Sequence, residues 1–379
     1  MNKAASLLGI AAGACLLAGM SACGTGQHAK PVAEKTAKVA DPQGAQAITA
    51  DRAVFDTGGH AAVIDAADVV QLSSNAGQSW TRLRLPATPA TGHSIAVTGN
   101  LIGALTMDSH GMAYQRSGDG GQSWQRTAVP LSIPTDQADL AMSADGSKVA
   151  VLASVQGSAN NGNTPELYVR DATGALVARQ APASGSIAWS GNRLLLAGGP
   201  LSSRLYASDD NGASWTARAV GAAVAPRFNL DPSTPSIGAP LAGPNGSVLV
   251  PVTSHSGNAS SVQFFSSSNG AAFTAGVRVP LSGNVGSGTV AVVSAAGPAG
   301  YIVAEPGSNK LHLVQGTTQT TLSPTGLPGP VDSLSFADAQ HGVAQVSLRS
   351  CSGGKQNCTQ TVEVLATSDG GHTWSQATD

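Results

Sequence analysis

Ser117-Gly118-Asp119-Gly120-Gly121-Gln122-Ser123-Trp124 decides how this chain is read, because it recurs. It returns as Ser208-Asp209-Asp210-Asn211-Gly212-Ala213-Ser214-Trp215 and as Thr367-Ser368-Asp369-Gly370-Gly371-His372-Thr373-Trp374. Ser73-Ser74-Asn75-Ala76-Gly77-Gln78-Ser79-Trp80 is a softened copy with Asn in place of Asp. Ser266-Ser267-Ser268-Asn269-Gly270-Ala271-Ala272-Phe273 reads as a decayed one. Side chains fix such a unit as a β-turn. The Asp or Asn accepts from backbone N–H groups that strand pairing leaves free. Gly77, Gly121, Gly212 and Gly371 provide the positive φ that a reversal needs. The hydroxyl two places beyond the glycine can bond back to the turn, and the closing Trp has a large apolar surface to bury against a neighbouring unit. Strand-like runs such as Val362–Ala366 precede the copies, so each turn is expected between two outer strands.

Spacing counts the units. Trp80 and Trp124 stand about 44 residues apart, and Trp124 and Trp215 about 91, close to two such steps. From Trp80 to Trp374 is about 294 residues, or six steps of about 49. Six steps make seven units, with worn turns expected near Asp171–Gly174, at Gly270 and near Gly316–Thr321. A period of this size with short apolar runs in every interval is that of a propeller blade. The expectation is an all-β, seven-bladed β-propeller with four-stranded antiparallel blades over residues 47–379. Insertions such as Gly157–Pro165 leave six or eight blades open.

The octapeptides resemble the Asp-box, or BNR repeat, of sialidase-like and related propellers. On that resemblance Ser117, Asp119, Gly121 and Trp124, with Ser208, Asp210, Gly212 and Trp215, Thr367, Asp369, Gly371 and Trp374, and Asn75, Gly77 and Trp80, are structural. Val331–Ala344, an inner strand, a turn and a second strand, is similar to the blade opening of the photosystem assembly-factor propellers. That likeness extends to the blade pattern alone.

The N-terminus sets an expectation of compartment. Lys3 is followed by an uncharged run from Ala4 to Gly19, the layout of an export signal. Met20-Ser21-Ala22-Cys23 resembles a bacterial lipobox, which implies a signal peptide over 1–22 and diacylglycerol on Cys23. At about 0.8 kcal/mol per buried CH₂, two or more acyl chains hold a protein on a bilayer. The expected location is the extracytoplasmic face of the cell membrane. Residues 23–46, rich in polar and small residues, are read as a flexible tether. Cys15 falls within the signal, so Cys351 and Cys358 remain, and outside the cytoplasm they are most simply a disulfide. The loop-entropy model gives such a short loop about 2.5 kcal/mol.

Only 11% of residues are charged and the net charge is −2, so nothing marks a nucleic-acid surface. Gly 46 and Pro 21 favour many tight turns over long amphipathic helices. The sialidase resemblance raises the question of hydrolysis, which in that family takes three arginines, an aspartate acid/base and a tyrosine polarised by a glutamate. Arg52 lacks the Arg-Ile-Pro context of the first such arginine. Glu305 with Tyr301 is the one local pair among the few glutamates and tyrosines. There is no Gly-x-Ser-x-Gly elbow and no His-Glu-x-x-His. Asp108-Ser109-His110 and Asp209-Asp210-Asn211 read as turns, and no metal or cofactor is expected. Two functions are carried forward. One is a membrane-anchored binding or scaffold module for a protein, peptide or glycan, with Arg227, His255 and His341 as candidate contacts. The other is a sialidase-like glycoside hydrolase.

Overall fold

The computed structural model describes residues 32–35, 37–38, 52–55, 60–64, 69–85, 91–132, 135, 137–154, 165–198, 204–220, 235–243, 246–256, 259–282, 291–296, 300–351 and 358–378. The chain separates into two units, 1–30 and 31–379, and every described residue belongs to the second. That unit is a seven-bladed β-propeller of antiparallel blades. Seven is therefore the blade number, and the alternatives of six and eight fall away. Among the described residues there is no α-helix, and none long and apolar enough to cross a membrane.

Each blade is drawn from one continuous stretch of chain. Blade 1 runs from Arg52–Phe55 to Thr81–Arg84, blade 2 from Thr91–Thr98 to Ser123–Ala128, and blade 3 from Gln137–Met142 to Leu176–Gln180. Blade 4 spans Ile187–Ser190 to Thr216–Ala219 and blade 5 Ser236–Ile237 to Thr274–Leu281. Blade 6 spans Val292–Ala295 to Thr318–Leu322 and blade 7 Val331–Phe336 to Ser375–Gln376. First strands meet between blades 1 and 2, 2 and 3, 3 and 4, and 6 and 7, and Val331–Phe336 of blade 7 packs on Arg52–Phe55 of blade 1. Among the described residues no strand is exchanged at that junction. Ala61 and Trp80 of blade 1 pack instead with Val343, Val364 and Ala377 of blade 7, so apolar burial closes the ring.

The core lies between blades rather than within one sheet. A second strand is therefore covered on both faces, which is why Val149-Ala150-Val151-Leu152-Ala153 and Leu194-Leu195-Leu196-Ala197 are apolar without alternation. The outermost strands face water on one side, and Thr216–Ala219 is mostly exposed.

Two expectations change here. The stretch 23–46 is not tether throughout. Val32–Lys35 pairs with the outer strand Ser123–Ala128 of blade 2, and Ala37–Lys38 pairs with the outer strand Thr81–Arg84 of blade 1. An outer strand has a row of free N–H and C=O groups that a passing segment can bond. The decayed copy in blade 5 also starts one residue later than its letters suggest. Ser267, not Ser266, donates to Asn269 Oδ1 (3.3 Å), so Phe273 closes a turn one residue short. Residues 1–31, including Cys23 and the signal segment, lie outside the described residues. So do Arg227 and the side chains of Cys351 and Cys358, although the backbone sets those two cysteines directly opposite in the last blade's hairpin.

Candidate functional site

The octapeptides occupy the turns between third and fourth strands, and their polar atoms are occupied within the turn. In blade 2, Ser117 Oγ donates to Asp119 Oδ1 (2.8 Å) and accepts from the Gly121 N–H (2.7 Å). Asp119 accepts in turn from the Ser123 N–H (2.9 Å) and hydroxyl (2.6 Å). Blade 7 repeats the set with Thr367, Asp369, Gly371 and Thr373, and blade 4 with Ser208, Asp210, Gly212 and Ser214. In blade 1, Asn75 Oδ1 takes the acceptor role while its amide donates to Ser79 Oγ (2.8 Å). Hydrogen bonds from Ser214 and Ser208 hold the Asp210 carboxyl at about 2, below its usual 3.8. Burial pushes Asp369 upward, but bonds from Thr373 and Thr367 outweigh it and hold that carboxyl also at about 2. Two consecutive residues are left-handed in each turn, as at Gly120 (φ 69°) and Gly121 (φ 87°). A Cβ on Gly121 would stand 2.4 Å from Leu83 of the preceding blade. The bonds of these aspartates hold their turns together.

The closing tryptophans are wedges. Trp124 packs among Ala62, Val70 and Leu85 of blade 1, and Trp80, Trp374 and the half-buried Trp215 likewise pack on the blade before their own. In three of them the indole N–H donates to the glycine carbonyl of its own turn; that of Trp215 reaches across to Gln180 O in blade 3 (3.0 Å).

The opposite end of the blades shows a device that the octapeptides do not announce. Glu166, opening the third strand of blade 3, accepts from the N–H (2.9 Å) and hydroxyl of Ser132, which follows blade 2. Glu305 of blade 6 accepts from the N–H (2.8 Å) and hydroxyl of Ser282, which follows blade 5. A carboxylate of the later blade thus clamps the end of the earlier one. The signal was present in the sequence: Val129-Pro130-Leu131-Ser132 and Val279-Pro280-Leu281-Ser282 are the same tetrapeptide.

These clamps also reassign the tyrosine–glutamate pair. Tyr301 does not bond Glu305; it stacks on Phe264 of blade 5 with ring centroids 5.1 Å apart. Tyr168 donates to Glu166 at 2.6 Å, two residues away on one strand face, and lies 2.8 Å from the Pro130 carbonyl. Burial first, then the bond to the carboxylate, raises the Tyr168 phenol far above its ordinary value. Glu305 is 2% exposed and meets His312 Nε2 at 3.2 Å. Burial pulls that carboxyl up, but bonds from Ser282 and His312 leave it below its ordinary value. A serine nucleophile needs an imidazole nitrogen on its oxygen; here Ser282 Oγ bonds the carboxylate, while His312 Nδ1 faces Thr321 Oγ1 (3.2 Å).

The 5/6 interface is packed by Val262, Phe264, Val303 and Val314 but keeps a groove beside its outer turn. Blades 3, 5 and 6 carry no wedge tryptophan, and in blade 5 Phe273 packs on the core shared with blade 4. Blade 3 turns at Asp171-Ala172-Thr173-Gly174, and its interface with blade 2 is plugged by Tyr114, 1% exposed, packed with Leu176. Blade 6 turns in two residues, Gly316-Thr317, between Gln315 and Thr318. Beside that turn is a groove of about 610 Å³ between blades 5 and 6, lined by Leu249, Phe264, Val277, Arg278, Tyr301 and Thr317. Leu249, Phe264 and Val277 come from the second, third and fourth strands of blade 5, the face that a wedge would cover.

Of the candidate contacts, His255 lies by the hairpin end of blade 5 at Ser256–Ala259 and meets Ser260 Oγ (3.1 Å). His341 lies at the octapeptide end, where Asp338 holds it (2.9 Å) and the Gly370 N–H donates to the adjoining Gln340 carbonyl (2.8 Å). They belong to opposite ends of the blades and form no common site. Among the described residues no cluster of His, Cys, Asp and Glu could hold a metal ion.

No family model matches the sequence, and no curated protein matches it. Solved structures do. The chain is similar to YCF48 bound to D1 peptide, at 14% identity and a TM-score of 0.51, over 88% of this chain and 97% of that one. It is similar to the β-propeller domain of Myceliophteria thermophila Cps50 (Swd1), at 11% identity and a TM-score of 0.53, over 84% and 99%. It is also similar to a GH74 xyloglucanase from Xanthomonas campestris, at 12% identity and a TM-score of 0.55, over 91% and 69%. At such identities the likeness establishes the β-propeller fold.

Proposed function

We propose that the chain is a membrane-anchored, extracytoplasmic binding protein whose propeller holds a protein or peptide segment in the groove between blades 5 and 6. The groove itself carries the reading: it is an open cleft of mixed polar and apolar lining, beside an outer strand, at an interface whose counterpart between blades 2 and 3 is filled. That a YCF48 propeller is bound to a peptide is in keeping with this. The signal over 1–22 and the lipid on Cys23 place the propeller outside the cytoplasm, and a Cys351–Cys358 bridge, across opposed positions, staples the last blade's long hairpin. Glycoside hydrolysis has less support, because Tyr301 stacks on Phe264 instead of meeting Glu305, and the Glu166 that Tyr168 meets is engaged in the clamp on Ser132.

A photo-crosslinking residue at Thr317, introduced in intact cells, tests the reading. Adducts to an extracytoplasmic protein at Thr317, absent when the crosslinker replaces Thr173 in blade 3, are the expected result. No adduct at Thr317 contradicts it. Cys23→Ala releases the chain from the membrane fraction if the anchor is lipid; retention refutes the anchor. Free thiols at Cys351 and Cys358 by mass spectrometry refute the staple.

A further inference from the structure

We infer that the groove between blades 5 and 6 accepts a tryptophan side chain carried by an extended partner segment that pairs with the outer strand of blade 5, Thr274–Leu281. This rests on the groove being the binding site, and it names the chemistry of the occupant.

The molecule itself shows what fits such a position. Trp80, Trp124, Trp215 and Trp374 each cover the preceding blade beside the turn between third and fourth strands. At blade 6 that turn is Gly316-Thr317, and beside it the half-buried Tyr301, stacked on the buried Phe264, borders the groove. Aromatic walls of this kind favour a further ring. The indole N–H of such a ring can be met from a neighbouring blade, as that of Trp215 is by Gln180 O.

Strand addition is likewise seen within the chain. Val32–Lys35 and Ala37–Lys38 add to the outer strands of blades 2 and 1. Thr274–Leu281 is the outermost strand of its sheet and, among the described residues, has no strand beyond it. It also departs from regular pairing beside the groove. Gln263 faces Arg278 and Phe265 faces Ala275, so Gly276 and Val277 together oppose Phe264. Bulges of this type bend an edge and re-aim its side chains. The Gln263 amide caps the freed Gly276 carbonyl at 2.7 Å, which holds the bulge in place. An added strand has alternate residues toward the sheet face, so one side chain of a short segment reaches the groove while its backbone pairs with the edge. Arg278, exposed at the rim, adds a site for a carboxylate on the same segment.

Displayed random 12-residue peptides selected on the whole chain in detergent provide the test. The expected outcome is a consensus with one tryptophan among β-branched residues. Replacing that tryptophan with Ala weakens binding at least tenfold, and so does Thr317→Trp, which fills the groove from within, with near-UV circular dichroism retained. Val277→Asp, at the bulge, has the same effect through a different residue. Selected peptides that lack an aromatic residue, or bind equally well to Thr317→Trp and Val277→Asp, overturn the inference and leave binding elsewhere on the propeller standing. Selection of no peptide overturns both.

Discussion

Blades 2 and 3 meet like blades 5 and 6 at one end and unlike them at the other. Both junctions carry the Val-Pro-Leu-Ser exit and a glutamate clamp, Glu166 on Ser132 and Glu305 on Ser282. Both lack a wedge tryptophan. At the wedge end the 2/3 junction is filled by Tyr114, whereas the 5/6 junction is the groove. A propeller must hold each blade to the next, and this chain has two ways of doing so. Tryptophan wedges serve the 7/1, 1/2, 3/4 and 6/7 junctions, Phe273 packs at the 4/5 junction, and carboxylate clamps serve the 2/3 and 5/6 junctions. The clamp frees the wedge end of its holding role. One junction then fills that end with its own tyrosine, and the other leaves it open.

The largest effect is expected at a buried wedge. Trp124→Ala should cost about 3–5 kcal/mol in denaturant unfolding, and Trp215→Ala, half-buried, clearly less. Equal losses would show that the wedges do not scale with burial. At the plugged junction, Tyr114→Ala should cost about as much as Trp124→Ala, while Tyr114→Phe should be neutral or slightly stabilising. Its hydroxyl is buried without a partner, and burial raises the phenol to about 12. A clear loss in Tyr114→Phe would mean that the hydroxyl is bonded.

Clamp variants come next. Glu305→Gln should cost about 1.5–3 kcal/mol, since it weakens charge-assisted bonds at a buried site. Hydrogen exchange should then quicken at the 5/6 junction and stay unchanged at the 2/3 junction. Uniform quickening would deny that each clamp acts locally.

The smallest effect is that of pH. Asp210 and Asp369 are depressed to about 2 in the folded chain, from an ordinary 3.8. Their contribution is therefore complete above the unfolded value and is lost as pH falls from about 4 towards 2. Asp210→Asn with Asp369→Asn should flatten that window, because Asn75 already fills the role in blade 1 without a titrating group. An unchanged acid slope would place the acid sensitivity elsewhere.

The turns were legible in sequence because their bonds are local: Ser117, Asp119, Gly121 and Ser123 lie within seven residues and satisfy one another. Spacing located worn turns near Asp171–Gly174 and near Gly316–Thr321, where Gly316-Thr317 is the turn and Thr318–Leu322 already strand, while Gly270 was also marked by its decayed octapeptide. The run Ser266-Ser267-Ser268 hid its own register, because three identical residues offer no marker of which one bonds. The clamps were obscure for a different reason. Ser132 and Glu166 belong to different blades, as do Ser282 and Glu305, and only the ring brings them together. The groove was hidden most deeply. It depends on a residue that is missing from blade 6 and on a tyrosine that fills the equivalent place at blade 3.

The most direct test is fluorine NMR of the Thr317→Trp chain labelled with 5-fluorotryptophan. The natural chain has Trp 5, so the variant adds a sixth resonance. If the groove is an empty wedge seat, that resonance is shifted like those of buried Trp80, Trp124 and Trp374 and shows no solvent isotope shift on exchange into D₂O. A sixth resonance at the position of free 5-fluorotryptophan, with the full isotope shift, would contradict the account.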